Sequence, residues 1–201
     1  MVNGKQKGNG FERLISKEIS MCLTGRDDMM WRTQNSGGRF TTRAKAGKET
    51  LNQEGDIAAT SSETEWFSNM FYVECKHYKD INLWSMITGK GILIDWIKDY
   101  LDRSKHCNKL LFLVIRQNNK PIVLLTPTTI YTHVDADIKK IVKLKFYIQK
   151  DELLIFDFKE FLKNVKFKEK VDVIEDSLNE MRQHGAAEVC GLKVEIINEE
   201  M

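Results

Sequence analysis

Two strand-like runs, each carrying one acidic residue, constrain the fold of this chain more than any other feature. The first run is Gly55–Ala59, with Asp56 as its acid, and the second is Phe71–Tyr78, with Glu74 as its acid. Valine, isoleucine, phenylalanine and tyrosine favour β-strands. The polar link between the runs contains Ser-Ser-Glu at positions 61–63, which is typical of a turn. The sequence therefore predicts a β-hairpin that brings the two acids together.

The second run adds a lysine two positions after its acid. Because residues two apart in a strand point to the same face, Glu74 and Lys76 project together while Cys75 points away. A pair of carboxylates suits Mg²⁺, which is usually held by one or two carboxylates plus substrate phosphate. A neighbouring lysine can orient the attacking water or stabilise developing charge. The alternative is an ordinary hairpin with an exposed salt bridge between Glu74 and Lys76, because Glu-x-Lys is a common pattern.

A helix is predicted to begin at Phe11 and to end near Gly25, because apolar residues recur at helical spacing between them. At about 100° per residue, Glu12 falls close to Ile19, at the margin of the apolar stripe. Glu12 is therefore either a partly exposed helix glutamate or a third acid that reaches the metal site.

A polar, basic and glycine-dotted segment at positions 34–48 follows a short predicted strand, Met29–Thr33. Hydroxyls, amides, arginine and lysine are the groups that contact phosphate oxygens, so we expect this segment to become ordered on nucleic acid. Lys90 precedes a predicted helix, Ile92–Ser104, whose first N–H groups attract anions. The candidates for binding the DNA backbone are Arg32, Gln34, Arg39, Arg43, Lys48 and Lys90.

The order of the predicted elements is helix, strand, strand, strand, helix, strand, which indicates an α/β fold. The continuous apolar run Leu110–Ile115 is typical of a strand covered on both faces. We place a core domain at residues 1–130 and an α+β extension at residues 131–201. The extension has a half-exposed strand at 142–148, a turn at 151–152, a strand at 153–156, helices at 158–162 and 172–181, and a final strand at 189–196. Its expected role is packing on the core or dimerisation.

The charge of the chain is unevenly distributed. Residues 1–150 hold 24 Lys and Arg against 16 Asp and Glu, a net charge of +8, whereas residues 151–201 hold 7 against 13, a net charge of −6. A basic body fits a polyanionic partner. The longest apolar run is far shorter than the roughly 18 residues that span a bilayer. The N-terminus lacks the apolar core of a signal peptide, so we expect a soluble, cytoplasmic protein with no membrane partner.

With these residues in place, the chain resembles the PD-(D/E)XK nuclease superfamily, and within it the small archaeal-type Holliday junction resolvases and their phage-encoded relatives. The resemblance covers roughly residues 8–125. Two features depart from the family pattern, because Gly55 stands in place of the motif proline and the loop between Trp31 and Gly55 is long. Four motifs in the family order carry the resemblance, namely Gly10-Phe11-Glu12-Arg13, Arg32-Thr33-Gln34-Asn35-Ser36, Gly55-Asp56-Ile57 and Glu74-Cys75-Lys76.

The resemblance implies a restriction-endonuclease-like core, with a mixed central β-sheet flanked by helices, and a metal-dependent nuclease. Asp56 and Glu74 would bind Mg²⁺, for which Mn²⁺ would substitute, and the carbonyl of Cys75 would be a further ligand. Lys76 would serve the attacking water, and Glu12 would assist the metal site.

The likeness to the resolvases implies further that Ser36, in the loop after the first strand, is used near the DNA. Resolution of a junction requires two coordinated cuts, so a C2 homodimer is the expected assembly. A DNA endonuclease of the resolvase type is therefore the leading interpretation. The alternatives are a restriction-like or general duplex DNA nuclease and a catalytically inactive DNA-binding accessory protein.

Overall fold

The described residues form two β-sheets, with helices packed around the larger one. The computed structural model describes residues 4–33, 54–82, 85–148, 150–167 and 194–196. In chain order the described elements are α1 (Gly4–Thr24), β1 (Met30–Arg32), β2 (Ile57–Ala59), α2 (Ser62–Met70), β3 (Phe71–Tyr78), α3 (Ser85–Thr88), α4 (Ile92–His106), β4 (Leu110–Gln117), β5 (Ile122–Pro127), two 3₁₀ helices (Thr128–Thr132 and Ala136–Ile141), β6 (Val142–Ile148), β7 (Asp151–Asp157), α5 (Phe158–Asn164) and β8 (Val194–Ile196).

The larger sheet has the strand order β3-β4-β5-β7-β6-β8, and β1 pairs with β2 in a separate two-stranded sheet. Strands β3 and β4 run parallel, with Glu74 opposite Leu113, and the other neighbours in the larger sheet run antiparallel. A parallel pair needs a crossover connection, and α4 supplies it between β3 and β4. The sheet is therefore mixed, and β3 is one of its edge strands.

Helices cover both faces of this sheet. On one face, Phe11 and Ile15 of α1 and Phe67 of α2 join an apolar cluster with Phe71, Val73 and Cys75 of β3. On the other face, Leu93, Ile97 and Leu101 of α4 pack with Tyr72 of β3 and with the next strands. The α/β fold with a mixed central sheet flanked by helices, predicted from the sequence, is confirmed.

The predicted hairpin between the two acids is wrong, because α2 lies between them. Ser61 is the N-cap of α2, and its hydroxyl accepts a hydrogen bond from the N–H of Glu63. Glu63 and Glu65 lie in the first turn, where the helix dipole favours negative charge. Phe67 is fully buried in the core. The residues interpreted as a turn therefore begin a helix, and β2 pairs with β1 instead of β3.

Other boundaries differ less from the sequence predictions. The first helix begins at Gly4 rather than Phe11. Residues 151–152, predicted as a turn, are the first residues of β7. The predicted helix at 172–181 lies outside the described residues, whereas part of the final strand is present as β8.

The larger sheet continues across residue 130, because β7 pairs with β5 and β6 pairs with β7. The part of the 131–201 segment that forms β6, β7 and α5 is thus packed directly on the core. A division of the chain at residue 130 stays a prediction. No helix in the described part of the chain is long and apolar enough to cross a membrane.

Candidate active site

Asp56 is fixed against the outer edge of β3, although it lies outside the larger sheet. Its N–H donates a hydrogen bond to the carbonyl of Val73 over 2.7 Å, and its own carbonyl accepts one from the N–H of Thr33 over 2.9 Å. The Oδ2 atom of its carboxylate accepts a hydrogen bond from the N–H of Cys75 over 2.8 Å. An edge strand offers unpaired backbone groups, and Asp56 uses two of them in β3. The carboxylate is thereby held beside the backbone that carries Glu74.

Gly55 makes this close approach possible. Its φ is +86°, and a Cβ atom built on it would lie 2.4 Å from the carbonyl oxygen of Val73. Proline holds φ near −65° and cannot adopt this conformation. The hydroxyl of Thr33 donates a hydrogen bond to the Gly55 carbonyl over 2.8 Å, which fixes the same turn. The glycine that replaces the motif proline is therefore required by the geometry of this site.

Glu74 and Lys76 form an ion pair on one face of β3, as the strand period predicts. The Nζ atom of Lys76 donates to Oε1 of Glu74 over 2.8 Å. Glu74 is only 5% exposed, and the side chain of Lys76 is 23% exposed. Burying a carboxylate is costly unless it is paired and hydrogen-bonded. The alternative of an exposed hairpin salt bridge is therefore wrong, because this pair lies inside the protein.

The two acids influence each other electrostatically. Burial and the negative charge of Glu74 together raise the pKa of Asp56 to about 7, against the opposing effects of the Cys75 N–H and of Lys76. Burial and the same carboxylates also raise the pKa of the Cys75 thiol. Asp56 and Glu74 thus form a concentration of negative charge that the protein compensates only in part.

Lys76 is a permanent cation at neutral pH. Burial by itself would lower its pKa, but the attraction of Glu74 and hydrogen bonds to Glu74 and Tyr100 outweigh burial and raise the pKa. A protonated lysine donates hydrogen bonds and accepts none. As a cation, Lys76 can orient an oxygen atom or stabilise negative charge.

Three further side chains at this site were missed by the sequence reasoning. Tyr100 of α4 lies against Lys76, whose Nζ atom is 4.8 Å from the centroid of its ring, and its hydroxyl interacts with Lys76 and Glu74. Arg103, three residues later on the same helix, interacts with the hydroxyl of Tyr72, which points to the same face of β3 as Glu74. The spacing of Tyr100 and Arg103 places them on one helix face, but only the crossover geometry shows which strand residues they meet.

Helix α4 runs antiparallel to β3, as three contacts show. Along the helix, Trp96 packs on Tyr78 with ring centroids 4.7 Å apart, Tyr100 meets Lys76, and Arg103 meets Tyr72. Successive residues of α4 therefore meet residues of β3 in the reverse of their order along the strand. The beginning of α4 consequently lies towards the Tyr78 end of the strand.

Glu12 does not join Asp56 and Glu74 directly. Its Oε2 accepts a hydrogen bond from Nε of Arg32 over 2.9 Å, and Arg32 also donates to Asn9 over 3.1 Å. The charge of Glu12 reaches Asp56 and contributes to the raised pKa of that group. Within the described ranges, no group of three or more His, Cys, Asp and Glu side chains is arranged to hold a metal ion. A metal-assisting role for Glu12 stays a prediction.

The predicted DNA-binding residues have different surroundings. Arg32 is held by Glu12 and is mostly buried, with 17% of its side chain exposed. Lys90 is exposed in the turn before α4. The remaining candidates lie outside the described residues, and they are Gln34, Ser36, Arg39, Arg43 and Lys48.

The residues that could hold a divalent cation are Asp56 and Glu74, through their carboxylates, and Cys75, through its carbonyl. These are hard oxygen donors of the kind that Mg²⁺ prefers. The two carboxylates are buried close enough that the charge of Glu74, after burial itself, raises the pKa of Asp56, and a bound cation would relieve this repulsion. The donor set therefore suits a divalent metal. Two carboxylates and one carbonyl would leave several coordination positions of the ion for water or substrate.

The first prediction concerns Gly55. Replacing it with alanine should lower the free energy of unfolding by about 3 kcal/mol or more, because the added Cβ meets the backbone and the φ is positive. Gly25→Ala is the matched control, since Gly25 has φ +70° with nothing within 4 Å of a Cβ. It should lose only about 1 kcal/mol. Urea unfolding measures both, and equal losses would contradict a close approach at Gly55.

The second prediction concerns the pH dependence of stability in metal-free protein. Asp56 has a folded pKa of about 7 against 3.8 for an ordinary aspartate. Because the folded state binds this proton more tightly, the group lowers the free energy of unfolding progressively between about pH 4 and 7. At about 1.4 kcal/mol per pKa unit, the loss between pH 5 and 8 should be about 2–3 kcal/mol.

Asp56→Asn should remove this loss, whereas Asp95→Asn, which changes an exposed aspartate of α4, should retain it. Urea unfolding in EDTA at pH 5 and pH 8 measures the difference. The prediction is wrong if the wild type and Asp56→Asn lose the same free energy of unfolding over this range.

Comparison with known proteins identifies the family of the chain. The model of a family described as "phage putative PDDEXK endonuclease" matches residues 3–172, which is most of the sequence. Searches of the curated proteins and of the solved structures give no significant match. Nucleases of the PD-(D/E)XK type generally use divalent metals and act on DNA. The matched range includes Asp56, Glu74 and Lys76, and the chain therefore belongs to this phage family of PD-(D/E)XK endonucleases.

Proposed function

We propose that this protein is a Mg²⁺-dependent DNA endonuclease that hydrolyses phosphodiester bonds, with Mn²⁺ able to substitute. The observation that carries the proposal is the placement of Asp56 beside Glu74 through the hydrogen bond from Cys75. Lys76 lies next to this pair, bonded to Glu74. Two partly compensated carboxylates and an adjacent permanent cation are the groups that phosphodiester hydrolysis at a metal site needs. Such a nuclease of a phage would meet its DNA in the cytoplasm of the infected cell.

The carboxylates of Asp56 and Glu74 would hold the cation, with the carbonyl of Cys75 as a further ligand. When bound, a divalent cation polarises the phosphoryl oxygen and lowers the pKa of a water molecule. The hydrogen bonds at Gly55, Thr33 and Val73 keep Asp56 in place without help from the substrate. This preorganisation reduces the reorganisation that the reaction would otherwise require.

Lys76 would act on the substrate through its positive charge. Its ammonium can donate hydrogen bonds to the attacking water and to a non-bridging phosphate oxygen, where negative charge develops. In the metal-free protein the surroundings raise the pKa of this lysine, so it enters the site as a cation. The proton of the attacking water would pass to solvent or to a phosphate oxygen of the substrate.

Lys90 would bind the DNA backbone beside the site. Helix α4 begins at Ile92, eight residues before Tyr100, which corresponds to about 12 Å along the helix. A DNA strand carries one phosphate per about 3.4 Å of axis, so Lys90 can reach a phosphate some three or four nucleotides from the scissile bond. The segment at 34–48 would supply the remaining contacts to the DNA backbone. Activity should fall steeply with salt if these residues neutralise phosphates.

The third prediction tests the catalytic assignment. Glu74→Gln keeps the size of the side chain but removes its charge, so plasmid cleavage in Mg²⁺ should fall by at least about 100-fold. Glu63→Gln changes an exposed glutamate of α2, paired with Arg26, and should cleave like the wild type. EDTA should abolish cleavage by the wild type, and Mn²⁺ should restore it. Undiminished cleavage by Glu74→Gln would remove Glu74 from the mechanism.

We infer further that the preferred substrate is a four-way DNA junction and that the protein is a homodimer. What supports this is the resemblance of the four motifs to the junction resolvases. Two symmetric cuts across a junction require two active sites related by a two-fold axis. A restriction-like or general duplex nuclease would use the same site, so the choice depends on the substrate.

The fourth prediction compares a four-way junction with a linear duplex of the same sequence at equal concentration. The junction should be cut at least about tenfold faster, with symmetric paired nicks. Light scattering should give about twice the chain mass of 23.4 kDa. Equal rates on both substrates would favour the duplex nuclease, and a monomer would contradict the resolvase assignment. DNA binding without cleavage in any divalent metal would favour an inactive accessory protein.

A further inference from the structure

Tyr100 lies where the two charged residues of the site meet. It is a buried residue of α4, and the Nζ atom of Lys76 lies 4.8 Å from the centroid of its ring. Its hydroxyl lies beside both the Lys76 ammonium and the Glu74 carboxylate and interacts with each of them. Together with the bond from Lys76 to Glu74, these contacts form a closed triangle of three polar groups.

The triangle matters because a lysine side chain does not hold its own position. Its ammonium is a compact charge on a flexible four-carbon stem, and a single ion pair leaves it free to pivot. Glu74 is also the partner that a divalent cation would engage. Once the oxygens of Glu74 are shared with a cation, the Tyr100 hydroxyl is the remaining fixed acceptor for Lys76 in this triangle.

The ring of Tyr100 is itself held in place. The guanidinium of Arg103 lies 5.5 Å from the ring centroid, within the range of a cation–π contact. Arg103 is anchored by an ion pair with Asp99 over 2.9 Å and interacts with the Tyr72 hydroxyl. On the same helix, Ile97 and Leu101 are buried in the apolar layer against the sheet. The hydroxyl is thus presented from a side chain with little freedom to move.

We propose that Tyr100 is a positioning residue of this nuclease, whose hydroxyl keeps the Lys76 ammonium aimed at the reacting phosphate. The proposal rests on the proposed function for the role of Lys76. Tyr100 does not touch the substrate in this scheme and acts through Lys76. Its loss should therefore lower the rate of the chemical step and leave the binding of DNA unchanged.

The fifth prediction follows from Tyr100→Phe, which removes the hydroxyl and keeps the ring. A hydrogen bond to a charged group is typically worth a factor of about 10–100 in an equilibrium or rate. The kcat for DNA cleavage should fall by about this factor, whereas KM and the Kd for DNA in EDTA should change by less than about twofold. Tyr131→Phe is the matched control, because a lysine, Lys139, also lies 5.1 Å from that ring. It should behave like the wild type.

A second variant and a second measurement separate the hydroxyl from the ring. Tyr100→Leu removes both, so a wild-type rate for Tyr100→Phe with a slow Tyr100→Leu would overturn the role of the hydroxyl. In metal-free protein, the ammonium of Lys76 should give a slowly exchanging ¹⁵N–¹H signal by NMR. That signal should exchange faster in Tyr100→Phe and be unchanged in Tyr131→Phe. Equal exchange in all three proteins would also overturn the proposal.

Failure of this proposal and failure of the proposed function give different results. Full cleavage by Glu74→Gln would overturn the proposed function, together with the role assigned to Tyr100. An inactive Glu74→Gln with an unchanged kcat for Tyr100→Phe would overturn only the role of Tyr100. A raised KM with an unchanged kcat would do the same, because it would place Tyr100 in substrate binding.

Discussion

The contact between the Gly55–Asp56 turn and the outer edge of β3 is the interaction on which the candidate active site depends. An unpaired strand edge is ordinarily a liability, since its free backbone groups can pair with another chain. Here the carbonyl of Val73 and the N–H of Cys75 bind Asp56 instead. The same backbone that carries Glu74 and Lys76 therefore also positions the second acid, and a single edge strand organises the whole site.

This arrangement concentrates charge where burial makes charge costly. Asp56 is 4% exposed and Glu74 is 5% exposed, and their mutual repulsion contributes to the raised pKa of Asp56. A protein selected for stability alone would gain by replacing such a pair with apolar residues. Lys76 offsets only part of the negative charge. This excess of negative charge is the property expected of a cation-binding site, because a bound divalent ion would attract both carboxylates and offset their mutual repulsion.

The sequence allowed Glu74 and Lys76 to be paired because their geometry is local, whereas Asp56 reaches them along the edge of β3 and not through the predicted hairpin. The strand period alone places Glu74 and Lys76 on one face, and the α/β class follows from the order of the elements. The helix between the acids was missed because Ser61 suits both a turn and an N-cap. The pairing of Arg32 with Glu12 and the approach of Tyr100 were also beyond prediction, since each joins residues about 20 or more positions apart through packing.

The two faces of strand β3 have different neighbours, and only one of them carries the charged residues of the site. Phe71, Val73 and Cys75 join the apolar layer under α1 and α2, whereas Glu74 and Lys76 point towards the opposite side, where α4 crosses. The crossover to a parallel strand places α4 antiparallel to β3, so its residues can follow the strand along its length. Polar groups of α4 therefore reach the acid and the lysine without disturbing the layer beneath α1. Along this strand the residues of the apolar layer under α1 therefore alternate with the charged residues of the site, while Tyr72 packs with α4 on the charged face.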